Sequence, residues 1–210
     1  MQTVAFYFDY ACPWSYLACV RLRDMILRSG ATVDWKPLLL GDLAEIAGPA
    51  FESGETDEGP RASYQAADLA AWAHYNNVAI RREPGTAPDC RLALRGLLAA
   101  QRHGRAMEYS LAVFAACHGA CEDISDAGLL TSIASKAGVD GENLSAAISA
   151  PDTDQLLVGN ARELVQRGGY GSATLFVDEQ MFFGHMRMPL VEFALGQAST
   201  RQFVMPGQHG

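Results

Sequence analysis

The chain has 210 residues, 49% of them hydrophobic and 19% charged, with a formal net charge of −8. That length fits one domain, or one domain with a large insertion, and the composition suits a globular protein with a real core. The acidic balance argues against nucleic acid and anionic membranes as partners, because phosphate surfaces would repel it. No apolar run approaches the roughly 18 residues of a membrane helix. The N-terminus has no basic region or small-residue cleavage site, so the expected location is cytoplasmic. The five cysteines, Cys12, Cys19, Cys90, Cys117 and Cys121, lack framework spacing and are expected as free thiols.

Val4 to Phe8 is a short apolar, aromatic and β-branched run and predicts a buried strand. A turn follows through Asp9 to Pro13, and Pro13 suits the first turn of a helix, where its missing N–H costs nothing. The helix is expected to run to Ser29 and stop at Gly30, with Leu17, Val20, Ile26 and Leu27 on its core side. Thr32 to Lys36 alternates as a second strand. The first forty residues therefore read β-α-β, with a crossover long enough for parallel pairing.

From about Asp42 to Arg167 helical patterns dominate. Residues 52–59 are acidic and glycine-containing and read as an exposed loop. Helices are expected at 62–75, 90–103, 105–118, 126–137, 142–149 and 152–167, the first broken off by residues 83–88. Ser125 or Asp126 serves as N-cap for the helix over 126–137. Tyr64, Asp68 and Trp72 share one helix face. Thr174–Val177 and Met181–Phe183 form a short hairpin, Pro189 to Leu195 closes with a helix, and residues 202–210 read as a frayed tail. The fold class is α/β, a thioredoxin-like βαβ…ββα. Residues 1–41 and 168–201 form the thioredoxin-like part and 42–167 an all-helical insertion. The terminal pieces must pair into one sheet, since neither buries its apolar face alone.

Cys12 is the chemical centre of this reading. A thiol at a helix N-terminus meets unpaired N–H groups and the positive end of the macrodipole, which predicts a stabilised thiolate. Cys12-Pro13-Trp14-Ser15 lacks a second sulfur, so dithiol chemistry is disfavoured. Ser15 lies one turn on, within reach of Cys12. Trp14 and Tyr75 are candidates to line an aromatic pocket, while Trp72 reads as core. Cys117, His118 and Cys121 lack the second cluster that a structural zinc needs, so no metal is expected. His185 has the chemistry of an acid or a carboxylate ligand, and the Arg187 fork suits a carboxylate.

Phe6 to Ala18 resembles the opening of the 2-hydroxychromene-2-carboxylate isomerases, which group with the kappa-class glutathione transferases and more distantly the DsbA oxidoreductases. The stretch from Pro60 through Asp68-Leu69 to Trp72-Ala73 is similar to a helix of that family. So are Asp123 to Asp126, Gly169 to Asp178 and Met181 to Arg187. The resemblance implies a small-molecule substrate, a thioredoxin-type fold, a homodimer, and glutathione as a cofactor whose sulfur adds reversibly to an unsaturated ketoacid. It puts the cofactor contacts at Ser172, Ala173, Gly184, His185, Met186 and Arg187, and the substrate near Gly48 and Pro49. The chain departs from the pattern in five places, one of them a lysine of the substrate region for which only Ala44 or Glu45 is available. Cys12 stands for a serine. Ala173 stands for a cis-proline, which predicts a trans, reshaped loop. Met186 stands for an acidic residue, and Pro49 for an asparagine. The expectation is therefore an isomerase that either uses Cys12 itself as the adding sulfur or keeps glutathione and polarises its sulfur with Cys12 as a serine would. The alternatives are a glutathione-dependent monothiol transferase of DsbA type and a non-catalytic binding protein.

Overall fold

The computed structural model describes residues 2–51, 59–81, 87–150 and 153–198. All of the expected loop at 52–59 except Gly59, which opens a helix, most of the break at 83–88 and the expected tail lie outside those residues. Four strands form one mixed sheet in the order β2-β1-β3-β4. β1 (Thr3–Phe8) pairs in parallel with β2 (Thr32–Pro37), and on its other side antiparallel with β3 (Thr174–Val177). β3 turns directly into β4 (Gln180–Phe183), with Val177 opposite Gln180. The two ends of the chain thus complete one sheet.

β1 reads as an unbroken apolar run because both faces of the sheet are covered. Val4, Phe6 and Phe8 enter the larger core, while Ala5 and Tyr7 enter a smaller one with Leu38, Leu43, Ala161, Leu164 and Phe176. Helix α1 (Pro13–Ser29) lies in the larger core and ends at Gly30, whose φ of 68° is the left-handed cap that glycine adopts without penalty. Leu17 and Val20 are buried as expected, but Leu27 is 79% exposed. Its position falls outside the buried face that Leu22 and Met25 define on the same helix.

Helix α2 (Leu40–Ala47) was not separately legible, because Leu38-Leu39-Leu40 carries no period. It packs with α8 (Thr153–Gln166) over the smaller core. Between them come α3 (Gly59–Tyr75), α4 (Arg91–Arg102), α5 (Ala106–Phe114), α6 (Ala127–Ala137) and α7 (Gly141–Ser149). α5 continues as a π-helix over Ala115–Ala120 that sequence periodicity does not reveal. Asp126 is the N-cap of α6, accepting from the N–H groups of Gly128 and Leu129. After β4, a 3-10 turn (His185–Arg187) leads into α9 (Met188–Ala198), which packs on α1. Among the described residues no helix is long and apolar enough to cross a membrane.

Candidate active site

Cys12 sits at the N-cap of α1 in extended conformation, with φ −88° and ψ 111°. The turn before it is fixed by Asp9, which is 3% exposed. One carboxylate oxygen of Asp9 accepts from the N–H of Ala11 at 3.1 Å and the other from Leu40 at 2.8 Å. The Asp9 carbonyl accepts from the N–H of Cys12 at 3.2 Å. Burial raises this carboxyl above its ordinary range, while the hydrogen bonds from Leu40, Ala11 and Cys90 hold it back. Asp9 thus joins the Cys12 turn to the start of α2. A carboxylate set between an aromatic strand and a Cys-Pro helix start is the sequence signal that could have singled it out.

The Cys12 side chain does not face open water. It is 4% exposed, and its S–H donates to the Ser172 carbonyl at 3.4 Å. Ser15 and Ser172 share a hydrogen bond between their hydroxyls at 2.8 Å, and the Ser172 hydroxyl also accepts from the N–H of Asp9 at 3.3 Å. The expected low thiol pKa is corrected here. Burial pushes the Cys12 thiol up, against the hydroxyl and N–H of Ser15, Ser172 and the N–H of Trp14, which pull it down. Desolvation of the thiolate outweighs the helix terminus.

The peptide between Ser172 and Ala173 is cis, where a trans, reshaped loop was expected. The surroundings hold it on both sides. Ser172 is tied to Cys12, Ser15 and Asp9, and the Ala173 carbonyl accepts from the N–H of Gly184 at 2.8 Å.

A second group gathers beside the first. The His185 ring lies flat on Trp14, with centroids 4.9 Å apart at 14°, and meets Trp72 at 4.8 Å and 81°. Trp72 in turn contacts Tyr75, and the Arg21 guanidinium lies 5.7 Å from the Tyr75 ring centre. Trp72 is therefore a half-buried wall between α3 and α1 rather than plain core. Burial, helped by the charge of Arg21, pushes His185 down to about 4. Met186 and Arg187 are exposed. Gly48 and Pro49 sit exposed in a 3-10 turn at the end of α2, and among the described residues no hydrogen bond or ring contact joins them to Cys12. His118 reaches the Tyr10 carbonyl at 2.8 Å through its Nε2, and the thiol of Cys121 donates to the Arg81 carbonyl at 2.7 Å. A cavity of about 450 Å³ between α5, the π-helix and α6 is lined by none of the site residues.

The residues expected to hold glutathione fit it poorly. The Ser172 and Ala173 carbonyls are bonded within the protein, and His185 is enclosed by the tryptophans. Met186 offers no charge to an ammonium group, which leaves Arg187 alone as an exposed ionic contact.

A βαβ…ββα sheet with a helix starting at Cys12 and a helical insertion between its halves defines a thioredoxin-like fold. Residues 3–196 match the DSBA-like thioredoxin domain, and the chain belongs to that family. A 2-hydroxychromene-2-carboxylate isomerase of Sphingobium xenophagum is 28% identical over 191 residues, covering 91% of this chain and 96% of that protein. One of Pseudomonas putida is 25% identical, over 92% and 94% of the two chains. The solved structure of a 2-hydroxychromene-2-carboxylate isomerase superposes with a TM-score of 0.81 at 23% identity, covering 93% of this chain and 95% of that one.

Proposed function

We propose that this protein is an isomerase of unsaturated aromatic or polyene carbonyl compounds that works by reversible addition of its own sulfur, Cys12. The observation that carries the reading is the Cys12 thiol at the helix start, with its S–H on the Ser172 carbonyl and the Ser15–Ser172 hydroxyl pair beside it. The names of the two relatives support the reaction class.

The step balances without a further reagent. The sulfur bonds to the β-carbon of the substrate, and the alkene π pair shifts to leave an enolate at the carbonyl oxygen. The S–H turns from the Ser172 carbonyl to the neighbouring Ser15–Ser172 hydroxyl pair, which passes the thiol proton on to the enolate oxygen and gives a neutral enol. The former double bond is now single and rotates. The reverse steps return the proton to sulfur, restore the double bond and break the C–S bond. A relay of this kind lets a neutral, buried thiol add without first becoming a free thiolate.

The test follows conversion of 2-hydroxychromene-2-carboxylate by absorbance, with and without glutathione, in the wild type, Cys12→Ala and Cys12→Ser. Activity that needs no glutathione and falls to background in both variants is the expected result. A Cys12→Ser enzyme that stays active only with glutathione would move the adding sulfur to the cofactor. It would leave position 12 a polarising hydroxyl.

A further inference from the structure

Tyr10 stands in the turn before Cys12, and the peptide group between Tyr10 and Ala11 is held at both ends. Its N–H donates to the Asp9 carboxylate at 3.1 Å. Its carbonyl accepts from Nε2 of His118 at 2.8 Å. A carbonyl only accepts, so this contact puts the imidazole proton on Nε2. His118 comes from the helical stretch between β2 and β3, 108 residues along the chain. It is 6% exposed, and its ring stacks on Tyr16 of α1 and on Phe114, with centroids 6.0 and 6.1 Å away. The π-helix over Ala115–Ala120 sets its direction, because i→i+5 bonding turns the chain less per residue than an α-helix does. Residues 117 and 118 both meet the Tyr10 carbonyl there, the Cys117 thiol at 3.9 Å. The Tyr10 ring is fixed as well, since its hydroxyl pairs with Ser110 of α5 at 3.0 Å.

We propose that His118 is a positioning residue for Cys12, its Nε2–H and the Asp9 carboxylate clamping one peptide group of the turn from opposite ends. This rests on the reading of Cys12 as the reacting centre, but not on which substrate it meets or whether glutathione takes part. The force of the contact lies in how little would replace it. A thiol is a weak donor, and Cys117 at 3.9 Å is no substitute for an imidazole N–H at 2.8 Å. A buried carbonyl left in that state turns toward another donor, and the peptide plane turns with it. The turn would carry the Ala11 N–H off Asp9 and shift Cys12, whose own N–H is bonded to the Asp9 carbonyl at 3.2 Å. The sulfur then loses its place against the Ser172 carbonyl, which comes from the far end of the chain. A reacting group displaced by about 1 Å can cost about a hundredfold in rate. The helices between β2 and β3 thus reach the reacting turn through His118.

The experiment compares the wild type with His118→Phe, which keeps a flat ring and loses the donor, and with His118→Gln, whose amide N–H can reach the same carbonyl. Each is first checked for folding by circular dichroism. Amide hydrogen exchange is read by NMR at Ala11 and Cys12, with Phe6 in β1 as the reference for global opening. In His118→Phe, exchange at Ala11 and Cys12 should rise about threefold to tenfold against Phe6, and Cys12 should react faster with iodoacetamide. Conversion of 2-hydroxychromene-2-carboxylate should lose about tenfold to a hundredfold in kcat with KM little changed. His118→Gln should recover most of all three. In the wild type, a long-range ¹H–¹⁵N spectrum should show the His118 proton on Nε2. A proton on Nδ1 alone overturns the clamp even if neither variant folds. So does exchange at Ala11 and Cys12 that stays at the wild-type rate in His118→Phe, or that rises no more than at Phe6, as it would for a merely structural histidine. An intact kcat in His118→Phe overturns the positioning role. A wild type that converts nothing would sink the isomerase reading instead, and exchange and labelling at Cys12 would still judge the clamp.

Discussion

The thiol of Cys12 and the carbonyl of Ser172, 160 residues apart in the chain, are joined by a hydrogen bond of 3.4 Å. This contact makes Cys12 a donor held inside the protein rather than a thiolate presented to water. Its pKa lies above the ordinary thiol value, so at neutral pH it carries less thiolate than an exposed cysteine would. Alkylation with iodoacetamide, mapped by mass spectrometry, should therefore label exposed Cys121 first at pH 7. The Cys12 rate should still be climbing beyond about pH 8.5, the unperturbed thiol value. Labelling of Cys12 ahead of Cys121 at neutral pH would contradict the buried-donor arrangement.

The Ser172 hydroxyl bonds both the Ser15 hydroxyl and the Asp9 N–H inside the buried site. Ser172→Ala removes the hydroxyl shared with Ser15 and the acceptor of the Asp9 N–H. Leaving such groups unpaired costs roughly 1–3 kcal/mol, which urea denaturation will read as a lower midpoint. The proton relay loses a member as well, and activity should fall about a hundredfold or more. Because Ser15→Ala breaks the same hydroxyl pair, the double variant should lose much less than the sum of the two single losses. Strictly additive losses would show that the two hydroxyls act separately.

The sequence carries its local features well and its distant ones badly. β1, the Pro13 helix start, the Gly30 stop and the β3–β4 hairpin each depend on a few neighbouring residues, and they stand where the pattern puts them. Cys12 is recognisable as a helix-start thiol for the same reason. Its burial is not, since Ser172 supplies it from the other end of the chain. The cis peptide at Ser172–Ala173 is hidden likewise, because no proline announces it and the contacts around it come from Asp9, Cys12, Ser15 and Gly184. His185 reads as a loop histidine until α1 and α3 bring Trp14 and Trp72 against it.

His185 also predicts an acid limit to stability. Its pKa falls from 6.5 to about 4 on folding, so between those values the unfolded chain binds the proton and the folded protein does not. Stability is then complete above about pH 6.5 and declines as pH falls toward 4, by roughly 2–3 kcal/mol for this group. Burial causes most of that loss and Arg21 the rest, since protonation would place a second positive charge near its own. Urea midpoints measured from pH 7 to pH 4 should show the decline in the wild type, and His185→Phe should flatten it by about that amount. An unchanged slope in His185→Phe would mean that other groups set the acid limit.

Two glycines in helices should answer the same substitution with opposite signs. Alanine is normally better than glycine inside a helix by about 1 kcal/mol. At Gly159 in α8 a Cβ would meet nothing within 4 Å, so Gly159→Ala should gain about 0.5–1 kcal/mol. At Gly96 in α4 the same carbon would collide with the Tyr109 hydroxyl and come within 2.9 Å of Leu144 Cδ1. Tyr109 has little room to yield, because it is fully buried and donates to the Ala93 carbonyl at 3.2 Å. The contact between α4 and α5 must then open, and Gly96→Ala should lose about 1–3 kcal/mol despite its better helix propensity. Urea denaturation of the two variants beside the wild type gives both signs. A Gly96→Ala protein as stable as the wild type would show that α4 and α5 pack less closely than their side chains indicate.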